Sequence, residues 1–106
     1  MINPIFEIVN IAAAARIGGF HEITFRGKMH GVGKYRFGDE DIEGLNKVIA
    51  SVRQAVDGYN DLIDIETNVQ KIHGYEAIIS QLEAEIAAFV RIKRKALRTK
   101  TQPDGN

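Results

Sequence analysis

The chain has no cysteine, no net charge and only two prolines, neither of them between residues 39 and 102. Without cysteine there are no disulfides and no thiolate metal sites, which fits a reducing compartment and makes the cytoplasm the expected location. With 14 Lys+Arg against 14 Asp+Glu, no whole-molecule field exists to steer the protein onto nucleic acid. Nucleic acid is therefore not an expected partner, and any electrostatic role must come from local clusters. The three histidines, His21, His30 and His73, share no metal-ligand spacing with each other or with a carboxylate, so no metal site is expected.

Catalytic patterns are missing as well. No serine, histidine and acid form a local nucleophile motif, so no catalytic residue and no cofactor is assigned, and the chain is not expected to be an enzyme. Gly31-Val32-Gly33-Lys34 resembles a fragment of a phosphate-binding loop. However, Lys28 stands where that loop requires its first glycine, and the residues after Lys34 read as strand rather than helix. The first 19 residues are apolar but lack a basic leader, carry Glu7 inside the apolar run and are too short to span a bilayer. They are expected to be folded structure, with no membrane partner.

What is present is helical periodicity. Ile42, Leu45, Ile49, Val52, Val56, Tyr59 and Ile63 recur alternately three and four residues apart, and Ile72, Tyr75, Ile79, Leu82, Ile86 and Phe89 resume that spacing. The register is lost between Asp64 and Asn68, where Thr67 and Gln70 have capping-box spacing, so residues 39–98 are expected to form an antiparallel helical hairpin. Folding it brings the acidic start (Asp39, Glu40, Asp41, Glu43) beside the basic end (Arg91, Lys93, Arg94, Lys95, Arg98). One uninterrupted rod pairing with a second chain is the alternative.

Ahead of the hairpin, Asn3-Pro4 opens a helix over 4–17, with Gly18 and Gly19 to supply its left-handed stop. Over Phe20–Arg26 the period changes to two, and Lys34 to Phe37 alternate again after a glycine-rich turn, predicting a β-hairpin over 20–37. The expected fold is thus α+β, mainly α: an N-terminal helix and β-hairpin, then two long antiparallel helices, forming a single domain over 1–98. Residues 99–106 are expected to be a flexible tail. A hairpin this elongated leaves more apolar surface than one copy covers, so a homo-oligomer is expected.

Six cations lie within ten residues at the end of the second long helix, and clustered guanidinium groups suit phosphate through forked hydrogen bonds. Helix dipole and acidic neighbours explain much of that run. Cations beyond what pairing needs make Arg91, Arg94 and Arg98 the candidate ligand-binding residues. Tyr35 and Arg36, an aromatic and a guanidinium before the long helix, could stack a base and hold a phosphate beside them.

The succession Tyr35-Arg36, Glu40-Asp41-Ile42, Leu45-Asn46 and Val48-Ile49, followed by Leu82-Glu83 and Ala88-Phe89-Val90-Arg91, resembles the helical-hairpin domain of phage anti-CBASS and anti-Thoeris sponge proteins. The likeness spans residues 35–97. It implies a non-enzymatic, phage-type binding protein that sequesters a cyclic nucleotide signal in the host cytoplasm. Some members of that family carry β-structure ahead of the hairpin. Ile49 stands about where the family has a phosphate-contacting lysine, a departure that leaves the ligand's identity open. A helix and β-hairpin before an acid-capped helix is also similar to small phage head-to-tail joining proteins. The alternative function is therefore a protein-protein interaction module, either a head-tail assembly part or an inhibitor that docks on a host defence protein.

Overall fold

The computed structural model describes residues 11–31, 33 and 36–101. They form four α-helices, α1 (Ile11–Gly18), α2 (Glu22–His30), α3 (Ile42–Ile65) and α4 (Val69–Thr101), with a 3-10 turn, Asp39–Asp41, leading into α3. The expected helix over 4–17 is described only from Ile11 onward. Tyr35 and residues 102–106 lie outside the described residues, and residues 99–101 of the expected tail belong to α4.

The β-hairpin expected over 20–37 is not there: among the described residues the protein is all-α and holds no strand. The alternation of His21, Ile23 and Phe25 misleads because only one of those positions is inward. Phe25 is fully buried, whereas Ile23 is 70% exposed. In a helix Phe25 and Met29 are four residues apart and fall on one face, and both join the core. A lone two-stranded ribbon would be marginal in water. Local chemistry also favours the helix. Glu22 and Arg26 pair across one turn at 3.6 Å, and Gly31 ends α2 with φ 63, donating its N–H to the Lys28 carbonyl.

α3 and α4 pack as a helical hairpin joined by residues 66–68. The link is closed by side chains: Glu66 Oε2 accepts from the N–H groups of Thr67 and Asn68. Asn68 Oδ1 caps α4, accepting from the Gln70 N–H at 2.9 Å. The cap is therefore Asn68 and not the Thr67 of the expected box. The molecule measures 58 × 25 × 22 Å, because α1 and α2 cover only the half of the hairpin remote from this link. Leu45, Val48, Ile49 and Val52 of α3 and Leu82 and Phe89 of α4 are buried there with Ile11, Ala14, Ala15 and Phe25. At about 2 to 3 kcal/mol per buried large side chain, that cluster is where the fold gains its stability. Between residues 57 and 81, in contrast, no residue is buried.

α1 reaches α3 at a point with no room for side chains. A Cβ on Gly44 would lie 2.5 Å from the Gly18 carbonyl oxygen and from the Phe20 ring, so the helices meet backbone to backbone. Phe20 then stacks on Phe25 at 4.8 Å, and Phe37 meets Phe25 edge-on at 5.7 Å. This aromatic cluster fastens α2 to the start of α3.

Candidate functional site

The chain from 36 to 41 decides where α2 lies. Asp41, 5% exposed, accepts hydrogen bonds at one oxygen from the Gly38 N–H (2.9 Å) and from Lys28 Nζ (2.8 Å). Lys28 also lies 5.9 Å from the centre of the Phe37 ring. The acidic start of α3 thus reaches into α2 and its own helix, since Glu43 pairs with Lys47 at 3.8 Å. As expected, the acidic start meets the second long helix, the turn Asp39–Asp41 packing against α4, while the partners of Asp41 and Glu43 are Lys28 and Lys47.

α2 and the loop after it consequently border the end of α4. Two grooves lie side by side there and share Met29, Ile92 and Lys95. One, of about 500 Å³, is edged by Arg91, Arg94 and Arg98 over a floor of Met29, Ala88 and Ile92. The other, of about 600 Å³, adds Lys28, His30 and Arg36 beside Phe37. Either volume is within the range of small-molecule sites, but four of the seven residues lining the first groove are cations, so it is more charged than the usual apolar pocket.

Field strength can be judged by counting charges. Each helix end contributes about half a negative charge, and the last turns of α2 and α4 both border the grooves. Lys28 is balanced by Asp41. Against this stand the guanidinium groups of Arg91 and Arg94, so side chains set the sign and the groove they edge is positive. Arg91 and Arg94 are exposed and make no ion pair among the described residues.

Of the residues predicted from sequence, Arg91, Arg94 and Arg98 line one groove and Arg36 lines the other. Arg36 also closes the loop after α2, because its Nη1 donates to the carbonyls of Gly31 and Gly33, both at 3.1 Å. Sequence periodicity misses Lys28, Met29 and His30, whose segment reads as strand and turn. A signal for them exists in two basic residues before a glycine, which is the pattern of a helix C-terminus. Among the described residues no cluster could hold a metal ion, and no helix is long and apolar enough to cross a membrane. No protein-family model, no curated protein and no solved structure matches the chain.

Proposed function

We propose that the protein is a non-enzymatic binding protein that holds a phosphate-bearing, nucleotide-type anion in the basic grooves between α2 and the end of α4. One observation carries this reading: Arg91 and Arg94, without ion-pair partners among the described residues, stand at the rim of an apolar-floored groove of about 500 Å³. Guanidinium groups take phosphate by forked hydrogen bonds, while Met29 and Ile92 offer a planar base or sugar an apolar surface. The helical hairpin is in keeping with the likeness to phage sponge proteins, and the ligand class that likeness suggests is a cyclic nucleotide, bound in the host cytoplasm. The likeness to head-to-tail joining proteins depends on a β-hairpin and is not carried forward.

Calorimetry with a panel of cyclic di- and trinucleotides and cyclic ADP-ribose isomers tests the proposal. Saturable heat with at least one of them, recovery of that compound unchanged after denaturation, and loss of the heat in Arg91→Ala/Arg94→Ala are expected. Heat with none, or a compound recovered chemically altered, refutes it.

A further inference from the structure

The grooves belong to one end of the molecule, and one exposed face of α4 is graded in charge along its length. Val69 precedes Arg91, Arg94 and Arg98 by 22, 25 and 29 residues, each close to a whole number of turns at about 3.6 residues per turn. These four residues therefore share a face. Between them on that face lie His73, Glu76, Ser80, Glu83 and Ala87, all exposed, with His73 Nδ1 3.1 Å from Glu76 Oε1. Read from the hairpin link, the face passes from an apolar residue through a histidine, two carboxylates and two small side chains to three arginines. Val69 is 61% exposed, and Ile65, across the link, is 79% exposed.

We infer that a second copy of this chain packs antiparallel along this face, α4 against α4. Only that orientation matches charges. With Ser80 opposite Ala87 of the second copy, Glu76 lies opposite its Arg91, and the symmetry of the pair repeats each contact. Val69 then rests on the methylene stem of Arg98 of the copy. The two small residues let the helices approach closely near the axis. The two Glu83 carboxylates come near each other there, beside a groove that each chain also lines with Arg53 and Asp57, and their repulsion weakens the pair. A parallel pair would instead set Glu76 on Glu76 and Arg91 on Arg91.

Size sets the expected strength. A strip about 45 Å long and about 12 Å wide buries about 1,000 Å² over both copies, the lower edge of specific interfaces. The dimer is accordingly concentration-dependent and weakened by salt. Because it engages Arg91 and not the nucleotide, its existence does not depend on the proposed ligand.

Sedimentation velocity without any ligand decides the matter. At high micromolar concentration and low ionic strength the species is expected to have twice the 11.8 kDa chain mass, falling toward the single-chain mass in high salt. Glu76→Lys/Glu83→Lys and Arg91→Glu/Arg94→Glu are each expected to be monomeric with unchanged helical circular dichroism, and an equal mixture of the two to restore the dimer. A single-chain mass for the wild type throughout, or a salt-insensitive dimer, overturns the inference. So does a mixture that stays monomeric while both variants remain helical. The wild-type salt response tests the charges even where a substitution harms folding.

Discussion

Asp41 joins three segments through one carboxylate, receiving Lys28 from α2 and the Gly38 N–H while heading α3. Its side chain is 7% exposed and that of Lys28 13%, so removing the acid leaves an ammonium with little access to water. Asp41→Ala is expected to destabilise the fold by about 2 to 4 kcal/mol in urea titration, well beyond the value of an exposed pair. An effect below about 1 kcal/mol would mean that α2 is not held this way. Gly44 is limited by space instead of charge. A methyl group there has backbone on one side and the Phe20 ring on the other, and only the ring can yield. Gly44→Ala is expected to cost about 1 to 3 kcal/mol despite the better helix propensity of alanine, measurable as a lowered thermal midpoint.

Among the elements, the long hairpin is legible in the sequence because two runs of apolar residues keep a helical period over many turns. Leu45, Ile49, Val52, Leu82 and Phe89 are all buried, and the break in register falls between the end of α3 at Ile65 and the start of α4 at Val69. α2 is not legible, since nine residues with one fully buried side chain carry too little pattern to separate a period of two from one of 3.6. Part of the candidate site is hidden with it: the arginines stand out as a dense run, while Lys28, Met29 and His30 become neighbours of that run only through α2. The distal half of the hairpin has a different weakness. Gly74 lies within α4 with open space around its Cα, so its cost is purely conformational. Gly74→Ala is expected to stabilise the protein by up to about 1 kcal/mol, seen as a higher urea midpoint at unchanged slope. A loss of stability would show that the backbone at this position is not ordinary helix.

The molecule as a whole, a 58 Å body, concentrates its core at one end and its basic grooves beside that core. Helices α2 and α4 hold the grooves, and the exposed side chains of Arg91 and Arg94 pay an ordering cost when they take an anion. Arg91 would serve both the anion and the second copy, which makes the two events compete. Addition of a nucleotide that binds is expected to shift the sedimenting species toward the single-chain mass. A ligand that binds without changing that mass would separate the groove from the dimer face. Anion binding in the grooves is read out residue by residue in an amide NMR map of the protein titrated with the cyclic di- and trinucleotides. The largest shifts are expected at residues 28–31, at Arg36 and over 88–98, with residues 57–66 unmoved. Shifts centred on the acidic distal hairpin, or none with any compound, would contradict binding at this site.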